Sequence, residues 1–197
     1  MKTLKVHSMK TMFIISSLIL LLTNACAESS KKSKSDASTT TVSVIAKPKI
    51  NIHEAVLSGN FEVVKQHIKA KTDINEKEEM SGSTPLISAA SFGKNDIAKA
   101  LIDAGADLTI KNNDGATALH AAAFFCRVEI VQMLIDARAD KTIKNNFGAT
   151  PRESVMGPFT EIKPIYEMLQ QQLGPIGLQL DLNEVEKTRP VIAMMLH

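Results

Sequence analysis

Three features of this sequence could do chemistry: five histidines, two cysteines and a turn rich in oxygen donors. A zinc hydrolase needs two histidines one helical turn apart, with a glutamate between them. His53-Glu54 lacks the second histidine. His7, His67 and His197 have no ligand-spaced partner either. Asn112-Asn113-Asp114-Gly115 offers the oxygens of a calcium loop. However, Ile110 stands where the first carboxylate belongs, and no glutamate closes the loop. The phosphate-cradling glycine loops and the G-x-S-x-G elbow of hydrolases are missing. Cys126 would need a second thiol to act as a reversible redox sensor. Cys26 is the only other cysteine, and either cleavage or acylation near the N-terminus takes it out of use. These residues describe a protein with no catalytic residues, no metal and no cofactor, whose chemistry is that of binding.

The chain has 197 residues, 44% hydrophobic and 4% aromatic, with net charge +2. That suits one domain with tails, and excludes a disulfide scaffold. The average conceals a partition. Residues 1–27 hold three lysines and no acid, and 28–49 hold five lysines against two acids. Residues 50–197 hold 15 Lys and Arg against 19 Asp and Glu, a charge of −4. An acidic body makes nucleic acid a poor partner.

Lys2, Lys5 and Lys10 precede an apolar run of 11 residues, Met12 to Leu22, too short to span a bilayer. Ala25 and Ala27 supply the small residues of a signal-peptidase site, so 1–27 reads as a secretory signal. A lipoprotein route competes, in which Cys26 is acylated. Thr23 and Asn24 suit it poorly. The expected location is the periplasm or outside the cell, or the outer membrane if Cys26 carries lipid. Residues 28–49, rich in Ser, Thr and Lys, read as a disordered linker.

From Ile50 the chain repeats. Thr84-Pro85-Leu86, Thr117-Ala118-Leu119 and Thr150-Pro151 recur every 33 residues. So do Ala104-Gly105-Ala106-Asp107 with Ala137-Arg138-Ala139-Asp140, and Thr109-Ile110-Lys111-Asn112-Asn113 with Thr142-Ile143-Lys144-Asn145-Asn146. Thr117-Ala118-Leu119-His120-Ala121-Ala122 is the best-formed copy of a T-P-L-H-x-A turn. On these residues the chain resembles the ankyrin-repeat family, and its ending, Leu180-Asp181-Leu182 followed by Thr188-Arg189-Pro190, is similar to that of exported bacterial members. The resemblance implies an all-α solenoid of helix-turn-helix copies and a monomeric protein that binds other proteins. It also gives His120 a structural role, bonding backbone across the turn.

Four copies are expected, at 50–79, 80–112, 113–145 and 146–179, with a degenerate helical cap over 180–197. One extra residue falls in the loop Glu76–Ser81. In the cap, Gly174-Pro175 stops a helix, Asn183 caps one short helix, and Pro190 opens another. Gly59 and Gly93 mark a left-handed turn between the two helices, where the third copy has Cys126. Gly105 marks a second such position, where that copy has Arg138.

The resemblance assigns partner contacts to the turn fingertips: Met80, Ser81 and Ser83; Asn113, Asp114 and Ala116; Asn146, Phe147 and Ala149. It adds the ends of the thin first helices, Ser91, Phe92, Phe124 and Phe125. Phe92, Phe125 and Phe147 are expected on one concave side. There they either form an apolar partner patch or tuck against neighbouring fingers. Narrower readings are an immunity or inhibitor protein that neutralises an envelope toxin or enzyme, and a lipid-anchored envelope scaffold.

Overall fold

The computed structural model describes residues 46–197. The secretory signal, Cys26 and nearly all of the linker lie outside the described residues. The described part is all-helical. Helices α1 (Ile52–Leu57) and α2 (Phe61–Lys69) form the first pair, α3 (Pro85–Phe92) and α4 (Asn95–Asp103) the second, and α5 (Ala118–Phe124) and α6 (Val128–Asp136) the third. The first helices of the pairs pack as one row and the second helices as another.

Local signals start these helices. The Asn51 side chain accepts the Glu54 N–H at 2.7 Å, and Thr84 accepts the Ile87 N–H at 3.3 Å ahead of Pro85. The first helices are thin. Ala89, Ala90, Ala121, Ala122 and Ala123 are all buried where neighbouring copies meet. The second helices bring the bulk: Val64, Ile97, Leu101, Ile130 and Leu134 are buried in the same core, which runs on to Leu196. No single pair could bury its apolar face alone, so stacking creates the core.

The glycine columns are left-handed as expected. Gly59 and Gly93 have φ of 71° and 66°, and Cys126 adopts 54° in the same place. Gly105 (83°) is matched by Arg138 (62°), and also by Lys71 (52°) in the first copy, where no glycine signals it in the sequence. The extra residue of the second copy is accommodated inside its fingertip. Asn112 bonds Ala116 across the third copy's turn, whereas Glu78 must reach Ser83, one residue further. The longer Glu78 side chain then does what Asn112 and Asn145 do elsewhere. Its carboxylate accepts the N–H groups of Met80 and Ser81 at 2.8 and 2.7 Å. Burial opposes its ionisation, but these bonds and the Ser81 hydroxyl hold its pKa below the usual value.

The fourth copy departs from the expected plan. A 3-10 turn, Glu153–Val155, stands beside α5 in the first row. The second-row place beside α6 is filled by α8 (Leu182–Met195), which also packs on that 3-10 turn. Between them lies α7 (Phe159–Leu173), followed by a 3-10 turn at Gly174–Ile176. Residues 180–197 therefore do not form a separate helix pair beyond copy four; α8 is that copy's second helix. It is one helix, not two. Asp181 rather than Asn183 caps it, accepting the N–H groups of Asn183 and Glu184. Pro190 lies within α8 and Pro164 within α7, both on exposed faces where water can take the carbonyl each leaves unpaired.

Candidate binding surface

The fingertips are tied into a ladder by backbone geometry. Asn113 donates its backbone N–H to Ser81 O and its side-chain amide to Met80 O, at 2.9 and 2.8 Å. Asn146 repeats this onto Asp114 O and Asn113 O. Lys77 and Lys111 each reach the next copy's lysine carbonyl, at 2.7 and 2.9 Å. Gly82 and Gly115 make the close stacking possible. A Cβ on either would lie 2.4 Å from the Asn113 or Asn146 side-chain oxygen.

This ladder decides which expected contact residues are free. Met80 and Phe147 are exposed, Phe147 by 56%. Asn113 and Asn146 are exposed at the backbone level of the ridge but spend their amides on rungs. Ser81 and Asp114 are half-buried, and burial raises the Asp114 carboxyl. Ser83 is buried at the helix start and presents nothing to a partner. Ala116 and Ala149 are half-buried and close their turns onto the Asn112 and Asn145 side chains at 2.9 and 3.1 Å.

The three rings expected on one side are split. Phe147 sits at a fingertip, before the first-row element of its copy, while Phe92 and Phe125 sit at the opposite ends of the first-row helices. Those ends are covered. Phe92, Phe124, Phe125 and Cys126 pack with Tyr166, Leu178, Leu180 and Val185 in a second apolar cluster, separate from the repeat core. The Phe124 ring stacks on Tyr166 at 4.8 Å and meets Phe125 edge-on at 5.1 Å. Ser91 is half-buried; its carbonyl accepts from Arg127, whose guanidinium also donates to Gln179 O at 2.9 Å. The sequence carried no offset that could have paired 159–181 with these ends.

His120 shows the expected structural role. Its Nδ1 accepts the Thr117 N–H at 3.2 Å and lies 2.9 Å from the Thr117 hydroxyl; its Nε2 lies 3.1 Å from Ala149 O of the next copy. An Nδ1 that accepts leaves the proton on Nε2, which donates. Burial lowers the pKa of this ring. His67 is buried in an analogous bridge, Nε2 to Ile50 O at 2.8 Å. His53 is also pushed down by burial, against the pull of Glu76 and Glu78. Among the described residues no cluster of three His, Cys, Asp or Glu could hold a metal.

A family model for ankyrin repeats in three copies matches residues 52–145. That segment is a run of ankyrin repeats. Protein phosphatase 1 regulatory subunit 27 of human and of mouse is 52% identical over 63 residues, covering 32% of this chain and 40% of that protein. Dauer abnormal formation protein 25 of Caenorhabditis elegans is 38% identical over 58 residues, covering 29% of this chain and 15% of that protein. The crystal structure of the ankyrin repeat domain of Bcl-3, a member of the IkappaB protein family, superposes with TM-score 0.51 at 28% identity. It covers 52% of this chain and 45% of that one. The chain thus spans well under two thirds of each of these proteins. Ankyrin repeats are in general non-enzymatic modules of protein–protein interaction. Among the described residues no helix is long and apolar enough to cross a membrane.

Proposed function

We propose that this chain is exported to a bacterial envelope and binds a partner protein along its fingertip ridge. The observation that carries the choice of surface is the contrast between the two ends of the repeats. The fingertips leave Met80 and Phe147 in solvent on a backbone-bonded ladder, whereas the helix ends are already covered. Exposed apolar side chains on a rigid frame suit binding with little shape change. The regulatory-subunit name of the phosphatase relative agrees with a partner that is a protein. Export rests on the basic, apolar and small-residue pattern of 1–27, and acylation of Cys26 would place the protein on the outer membrane. The charge of −4 over 50–197 favours a basic target, as an inhibitor of an envelope toxin or enzyme would require.

A photo-crosslinking residue placed at Phe147 or Met80 tests the surface, with Lys99 on the second-helix face as control. Adducts with one protein at 147 and 80, and none at 99, are expected in the envelope fraction. Equal labelling at all three sites, or none at the fingertips, would remove the ridge as the binding face. Intact mass of the purified chain reads cleavage after Ala27 or acylation of Cys26.

A further inference from the structure

Residues 157–181 leave the stack after one first-row element and return as the next second-row helix. Both ends of this excursion are therefore anchored to the repeats. Each end has a glycine in a conformation that other residues rarely adopt, Gly157 at φ 100° and Gly177 at φ 103°. Within it, Phe159, Ile162, Tyr166, Leu169 and Leu173 follow 3-4-3-4 spacing and line one face of α7. That face lies against the rings of Phe92, Phe124 and Phe125. Tyr166, the chain's one tyrosine, is the only fully buried residue of α7. Its hydroxyl donates to Phe124 O at 2.6 Å and accepts from the buried Arg189 at 3.1 Å. The repeat core, from Ile52 to Leu196, is a different cluster that closes without α7.

We infer that the first-helix ends form a groove for an amphipathic helix, that α7 fills it as an internal ligand, and that a partner helix with an aromatic anchor takes it by displacing α7. The physical reasons are the stripe, the latch and the hinges. A helix whose apolar stripe docks on a ring-lined surface is a mode of peptide recognition in its own right. Tyr166, with its two hydrogen bonds, is the one fully buried latch, and the other stripe residues Phe159, Ile162, Leu169 and Leu173 are half-buried, so α7 opens at lower cost than the stacked core. Arg189 also donates to Met156 O at 3.5 Å, outside α7, and α8 is seated in the repeat core through Ile192 and Leu196. Cys126, whose Sγ lies 3.7 Å from Val185 O on α8, stays under that helix when α7 leaves. This goes beyond the fingertip ridge and does not depend on it.

Hydrogen exchange on the unmutated full chain is the first test. Amides of 159–173 are expected to exchange about tenfold or more faster than those of α3 and α5. Exchange of α7 only together with α3 and α5 would overturn the inference. The second arm uses a labelled peptide of residues 157–176 added in trans. It is expected to bind the Tyr166→Ala chain about tenfold more tightly than the unmutated chain, because the internal competitor is weakened. Adding Phe124→Ala should abolish that binding. Should Tyr166→Ala unfold the repeats, Tyr166→Phe keeps the ring, drops both bonds and carries the same comparison. No binding to the opened chain would overturn the groove. A concentration-dependent dimer in sedimentation would overturn the partner, since a second copy's α7 would then be the occupant. Neither outcome bears on crosslinking at the fingertips.

Discussion

At the scale of single residues, the left-handed columns separate strain from packing. Arg138 (φ 62°) is exposed, and at its counterpart Gly105 a Cβ meets nothing within 4 Å. Arg138→Gly should relieve about 1 kcal/mol and raise the melting temperature. Cys126→Gly should raise it less or lower it, because the thiol is packed in the second apolar cluster. Thermal melts of the two variants decide this; an equal gain would mean the sulfur contributes no packing. Burial pushes the Cys126 thiol up to about 11, despite the opposing pull of Arg189 and Arg127. A thiol so protonated is a poor nucleophile at neutral pH, in keeping with a packing residue. Cys126 and Arg138 were legible because aligned copies carry glycine at their positions. Lys71 was not, since the first copy's degenerate end hid its place in the column.

At the scale of elements, α8 is where the fourth copy is completed. Ile192 is fully buried in the repeat core, while Met194 is 69% exposed on the same helix. Ile192→Ala should cost about 2–4 kcal/mol in a denaturant melt, and Met194→Ala less than about 0.5 kcal/mol. A small loss at Ile192 would mean that the stack ends at α6. The helices of the first three copies could be read off the sequence because each repeats the same caps and apolar spacing. The break at Gly174-Pro175 was legible for the same reason: it is local chemistry. α7 was not, because what defines it is a docking contact, Tyr166 to Phe124, 42 residues apart in the chain. The helix-end residues Phe92 and Phe125 were therefore named without their cover.

At the scale of the whole molecule, the third and fourth copies are joined through a bridge at His120 that requires the neutral ring. His120 accepts at Nδ1 and, through Nε2, bonds one copy to the next, and burial lowers its pKa below the ordinary value of about 6.5. The unfolded chain then takes up a proton before the folded chain does. The stability this contributes is present above about pH 6.5 and is lost as pH falls from there through the lower folded value. His53, also lowered by burial, acts with the same sign. Denaturant midpoints should therefore drop on acidification below about pH 6.5, and His120→Gln should flatten part of that slope. An unchanged slope in the variant would place the proton uptake elsewhere. The repeat, its period and its left-handed turns could be read from the residues alone, because these are local patterns written again in each copy. Which helix completes the fourth copy, and which residues are covered at the helix ends, emerged from the folded chain. Both depend on long-range packing of segments that share no pattern: α8 returning to the second row, and α7 covering the rings at the helix ends.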